Sequence, residues 1–113
     1  MSRSASDPAR AAITKALRAE AGGWLKAARE SAGLTQAGLA EQVGLRYYTF
    51  VSQVESGHGR VPIEAQAAWA SALGLDPSAF ARTLLRFYEP ELYRLLYGAD
   101  PVPATQRAVG DAA

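Results

Sequence analysis

Residues 47–53 read YYTFVSQ, and five of them, Tyr47, Tyr48, Thr49, Ser52 and Gln53, carry hydroxyl or carboxamide groups with no evident partner inside a small core. Hydroxyls and carboxamides both donate and accept, so a face built from them suits hydrogen bonding to an external polar edge. Bond-breaking chemistry has much less to work with. His58 is the single histidine and stands between Gly57 and Gly59, a loop position that fits a solvated or phosphate-touching ring better than a general base. One histidine and no cysteine leave no ligand set for a structural zinc ion and no disulfide. Glu30, Glu41, Glu55 and Glu64 fall on different expected helices without a pairing signature. The GHGR segment over residues 57–60 is too short and wrongly placed for a nucleotide-binding loop. The sequence therefore predicts a binding protein and not an enzyme, with no catalytic residue, cofactor or metal.

Two short helices and a tight turn must position that polar face. Thr35 can cap a helix over residues 36–43, its hydroxyl accepting from a free amide of the first turn. Leu39, Ala40 and Val43 then share an inward face, and Gly44 stops the helix. A second helix is predicted over residues 47–56, with Phe50 or Val51 and Val54 facing inward and Gly57 ending it. Glu55, near that end, can orient a loop amide or an arginine.

The flanks read as further helices. Asp7 and Pro8 form a helix-start signal for a segment over residues 9–21, where Ile13 and Leu17 lie four apart among Arg10, Lys15 and Arg18. This segment reads as a short extra helix docked on the domain, or as a basic arm that reaches the DNA backbone or a partner subunit. Gly22 and Gly23 separate it from a helix over residues 24–32 that turns Leu25, Ala28 and Trp24 to the core. Pro62 opens a helix to about residue 73, Asp76-Pro77-Ser78 starts another to about 87, and Pro90 precedes a last one over 91–97. Residues 1–6 and the proline-broken stretch from Ala99 read as flexible tails.

The stretch over residues 34–61 resembles the helix-turn-helix of the Cro/C1-type repressors, the XRE family. Gln36 matches the glutamine opening the family's first motif helix, Ala40 the small residue at the helix crossing, and Gly44 the turn glycine. Val51, Val54, Glu55 and Gly57 match the ending of the recognition helix, and WASALGL over residues 69–75 resembles the family's fourth helix. The likeness covers roughly residues 23–80. Between Gly44 and Val51 this chain has six residues, LRYYTF, where the family pattern has five, and the extra one falls in the turn near Arg46.

The resemblance implies an all-α fold, a compact five-helix Cro/C1 repressor-like domain over residues 22–83. The N-terminal segment 1–21, an apolar helical extension 84–98 and the tail 99–113 flank it. It implies double-stranded operator DNA as partner, with Tyr48, Thr49, Ser52 and Gln53 at base edges. Gln53 would pair bidentately with adenine, and the Thr49 methyl would meet the thymine methyl. Tyr47 either joins them or caps the core beside Phe50. Gln36, Arg46, His58 and Arg60 would fix register on the phosphates. A dimer would set its recognition helices about 34 Å apart on a palindromic site.

Composition agrees with the class and adds two constraints. At 113 residues, 49% apolar and alanine-rich, the chain is sized for one small helical domain with tails. The net charge of +1 gives bulk electrostatics little weight, so placement of Arg46 and Arg60 about the polar face carries the argument. No apolar run approaches the roughly 18 residues of a membrane helix, and a cytoplasmic protein, nucleoid-associated when bound to DNA, is expected. The segment LLRFYEPELYRLLYG over residues 84–98 exceeds what a five-helix core can absorb. Leu84, Phe87, Tyr88, Leu92, Tyr93, Leu96 and Tyr97 are therefore expected at a homodimer interface. The rival reading is an interaction module, such as an antitoxin or accessory factor, that offers this stretch to a partner protein.

Overall fold

A computed structural model describes residues 7–98; the two expected tails, 1–6 and 99–113, lie outside them. Among the described residues there are six α-helices and no strand. They are α1 (Pro8–Ser31), α2 (Gln36–Gln42), α3 (Thr49–Glu55), α4 (Gln66–Leu73), α5 (Pro77–Tyr88) and α6 (Pro90–Tyr97), with a 3-10 turn at Ile63–Ala65 before α4. No helix among them is long and apolar enough to cross a membrane.

Local signals account for most boundaries. Asp7 Oδ1 accepts from the Ala9 and Arg10 amides at 3.0 and 3.3 Å, Thr35 Oγ1 from Gly38 at 2.9 Å, and Asp76 Oδ2 from Ala79 at 2.9 Å. Each satisfies amides that a helix start leaves free. Gly44 and Gly57 end α2 and α3 with φ of 80° and 88°, a left-handed conformation that costs a residue without Cβ almost nothing.

One boundary differs from the sequence expectation. The expected break at Gly22 and Gly23 is absent, and α1 runs unbroken for 24 residues. Two internal glycines disfavour a helix by about 1 kcal/mol each relative to alanine, so packing must hold the segment straight. Gly22 is buried where α1 crosses the end of α3, and a Cβ there would stand 2.2 Å from the Glu55 carbonyl oxygen. On the α3 side Gly57 repeats the close approach, its Cβ position lying 3.1 Å from the Ala19 backbone. The glycine is there for the crossing and not for a turn. Residues 8–16 of α1, Ile13 among them, project beyond the crossing and are exposed, so this half is not a separately docked helix.

The core gathers Leu25, Leu39, Val51, Val54, Trp69, Phe80 and Leu84, all at most 1% exposed. Trp24 packs its ring on Phe80 and Phe87 at 5.7 and 6.5 Å, and Phe50 stands edge-on to Trp69 at 6.4 Å. α5 completes this core with Leu84, Phe87 and Tyr88. α6 buries Tyr93 and leaves Leu92, Leu95, Leu96 and Tyr97 exposed. The expected interface set is thus divided: Leu84, Phe87, Tyr88 and Tyr93 are interior to this chain, while Leu92, Leu96 and Tyr97 face outward. α5 runs through the expected boundary at residue 84 because its apolar face has the core of α1 and α4 to cover.

Candidate nucleic-acid interface

α3 is seven residues long and owes its orientation to its inner side. Val51 and Val54, three apart, are buried, which turns Thr49 and Gln53, four apart, to the exterior with Ser52 half-buried between them. Arg46, Tyr47 and Tyr48 precede the helix in the connecting segment, and all three are exposed. Tyr47 is 67% exposed and does not cap the core; Phe50 fills that place against Trp69. The expected helix therefore begins at Thr49, and both tyrosines belong to the turn ahead of it.

Glu55, at the last position of α3, anchors the helix from within. Arg29 donates from Nε to Glu55 Oε2 at 2.6 Å and from Nη2 to Oε1 at 3.1 Å. Its remaining Nη1 donates to the Leu34 carbonyl at 2.8 Å. Gln36 Nε2 adds a third donor to the carboxylate at 3.0 Å. The two charged side chains are 9% and 4% exposed, so the fork is a buried, bidentate, fully partnered pair. The Glu55 hydrogen bond holds the Arg29 guanidinium above its ordinary pKa, against the opposing effect of burial. One interaction thereby ties together α1, the α1–α2 turn, the start of α2 and the end of α3.

The residues expected at phosphates divide among four places, Arg46 standing exposed ahead of α3. Gln36 commits an amide hydrogen to Glu55 and lies behind α3. His58 follows α3, with Nδ1 at 2.9 Å from Ser56 Oγ. The Ser56 hydroxyl donates to the Gln53 carbonyl at 3.0 Å, which leaves its oxygen to accept from a hydrogen on Nδ1. Arg60 turns to α5 and α6: its guanidinium lies 4.6 Å above the Tyr88 ring and 3.5 Å from Glu89 Oε2. Tyr88 in turn accepts the buried Val61 amide at 3.2 Å. Burial pushes the Tyr88 hydroxyl above the usual tyrosine pKa, and the Val61 bond and the Arg60 and Arg18 charges only partly offset this.

Sequence reasoning did not single out Arg29. The signal was present: Leu25 faces the core, and a residue four further on shares its side of the helix. A cation carried inward needs an acid there, and Glu55 was the acid with a structural reading.

A family model for the helix-turn-helix domain matches residues 20–83. No curated protein matches the chain. The match spans more than half of the 113 residues and contains α2, α3 and the whole Arg29–Glu55–Gln36 assembly. The chain belongs to this family of helix-turn-helix DNA-binding domains.

Proposed function

We propose that the protein is a sequence-specific transcriptional regulator of the Cro/C1 (XRE) type, a repressor that binds a palindromic operator as a dimer with α3 in the major groove. The observation that carries this reading is the two-sidedness of α3: Thr49 and Gln53 turned outward, with Ser52 half-buried between them, over a helix clamped from behind by Arg29 and Glu55. A base-reading helix gains from such clamping, because little ordering is left to be done on binding. Gln53 supplies a bidentate donor and acceptor for adenine, and Thr49 a methyl for thymine. Arg46, Tyr47 and Tyr48, exposed just ahead of the helix, flank that readout with a cation and two hydroxyls. Occupancy of a promoter by such a dimer blocks polymerase without a further domain.

Two-fold pairing through the exposed Leu92, Leu95, Leu96 and Tyr97 of α6 would supply the dimer. The same face also suits a partner protein, which is the second reading.

Selection of bound sequences from random duplex DNA at near-physiological salt tests the proposal. A symmetric enriched site is the expected result. Gln53→Ala should then weaken the enriched site by about 1–3 kcal/mol and relax preference at one base pair. Equal losses on unrelated duplexes would remove Gln53 from base reading. Failure to enrich any sequence with the protein folded would shift the reading to the partner-protein alternative.

A further inference from the structure

The projecting half of α1 has no role in the core, yet its residues are not arranged as an ordinary solvated face. Arg10, Thr14, Arg18 and Gly22 follow one another at intervals of four, and Ala11, Lys15 and Ala19 form the neighbouring row. Ser56, Gly57 and His58, the exit of α3, stand across from these rows. Between them lies an open groove of about 780 Å³ whose lining contains Arg10, Lys15, Arg18 and His58 and no carboxylate. Asp7, three positions before Arg10, accepts from the Ala9 and Arg10 amides. Glu20, two positions past Arg18, lies on another side of the helix. None of Arg10, Lys15 and Arg18 forms an ion pair among the described residues, and Arg18 Nε is buried without a hydrogen-bond partner.

From these observations we propose that the groove between the first half of α1 and the exit of α3 binds backbone phosphates of duplex DNA. The proposal rests on the DNA-binding reading and extends it to a second surface. Arg10 and Lys15 supply mobile cations at the rim and Arg18 a fixed guanidinium edge. His58 faces the groove from the loop that leaves the recognition helix. The choice of DNA over a free anion follows from continuity. Ser56 links the Gln53 carbonyl to His58, so the groove begins about one helical turn beyond the base-reading side chain. From Arg10 to Arg18 it extends roughly 12 Å along α1 at 1.5 Å per residue, long enough to follow a strand. Its α1 wall lies before residue 20, outside the matched domain, so the contact is an addition of this chain to that domain.

Salt titrations of the full chain on a mixed-sequence duplex test it, with Arg10→Gln/Lys15→Gln set against the charge-matched control Lys26→Gln/Arg94→Gln. Lys26 and Arg94 are exposed and lie outside the groove. Each neutralised phosphate contributes about 0.9 to the slope of log K against log salt. The groove variant should therefore flatten the slope by about two units and bind every duplex on the order of 10- to 30-fold more weakly near 0.15 M salt. Sequence preference should persist. Thr14→Glu, which sets a carboxylate between the two cations, should weaken binding likewise, and thermal melts of both variants should match the wild type. A groove variant with an unchanged slope, or a control that loses as much, overturns the groove and leaves the recognition helix standing. A folded wild type that binds no duplex overturns both.

Discussion

α1 and α6 are joined to the same core by opposite means. Where α1 crosses α3 the backbones touch through Gly22 and Gly57, and a buried arginine fork closes on Glu55 beside them. α6 contributes one buried side chain, Tyr93, whose ring packs on Tyr97 at 5.0 Å, and its leucines point away from the core. A helix fixed by backbone approach and bidentate geometry has one allowed position. A helix that packs on α5, buries one aromatic ring and leaves the rest of its apolar face uncovered has surface to offer. In the function proposed above, the first arrangement would serve recognition by holding α3 still, and the second would serve assembly.

The largest test of that contrast is Arg29→Ala. It leaves the Glu55 carboxylate buried without its cation and the Leu34 carbonyl without its donor, and removing one member of a buried pair costs about 3–5 kcal/mol. Urea unfolding should register that loss with little change in slope. A loss below about 1 kcal/mol would mean that water reaches Glu55 and that the clamp is no tighter than a surface pair.

Next in size, the glycine pair gives a comparison of sign within adjacent residues. Gly22→Ala places a methyl 2.2 Å from a backbone oxygen that no rotamer change can move, so α1 and α3 must separate, at about 1–3 kcal/mol or more. Gly23→Ala meets nothing within 4 Å and should stabilise the helix by about 0.5–1 kcal/mol. Thermal midpoints moving in opposite directions would establish the crossing; both rising would show that α1 does not press on α3.

That pair also marks where the sequence stops being informative. Caps and helix ends at Asp7, Thr35, Gly44, Gly57 and Asp76 are local chemistry, and they delimit α2, α3 and α5 to within a residue or two. Gly-Gly is ambiguous, because the same absence of Cβ permits a turn or a close crossing, and only the Glu55 carbonyl decides between them. The α5 and α6 apolar faces look alike in sequence. Which one finds a core depends on volume left by the distant Trp24 and Trp69, so Leu84, Phe87, Tyr88 and Tyr93 could not be told from Leu92, Leu96 and Tyr97. The outward face of α3 was legible through Val51 and Val54; the start at Thr49 was not, since Tyr47 and Tyr48 continue the helical pattern without packing. Arg60 was assigned by its nearness to α3, whereas its environment is set by Tyr88 and Glu89, more than twenty residues away.

Tyr88 sits between the two regimes, tying the exit loop of α3 to the end of α5. Tyr88→Phe leaves the buried Val61 amide without an acceptor, and an unsatisfied buried donor costs about 1–3 kcal/mol. The effect should depend on pH in one direction. Because burial raises the folded-state pKa of Tyr88 above that of the unfolded chain, its stabilising share is complete below about pH 10 and declines as pH rises through the folded value. The gap between wild type and Tyr88→Phe should therefore narrow in alkali; a gap that widened would mean the hydroxyl ionises readily in the folded protein.

The smallest expected effect on the isolated chain is the most informative about α6. Leu95 and Leu96 are 80% and 60% exposed, so replacing both with serine removes no core contact. Monomer stability should shift by no more than about 0.5 kcal/mol per site. If the face pairs two chains, the same double substitution should convert a dimer to a monomer in sedimentation. Affinity for a palindromic duplex should then fall while affinity for a single half-site is kept, because linking two half-site contacts multiplies their binding. A dimer that survives Leu95→Ser/Leu96→Ser places self-association elsewhere on the molecule. A wild type that is monomeric at micromolar concentration removes self-pairing through α6 from the proposed function. In each case the clamp at Glu55 is untouched, since α6 lies outside the set of elements that Arg29 joins.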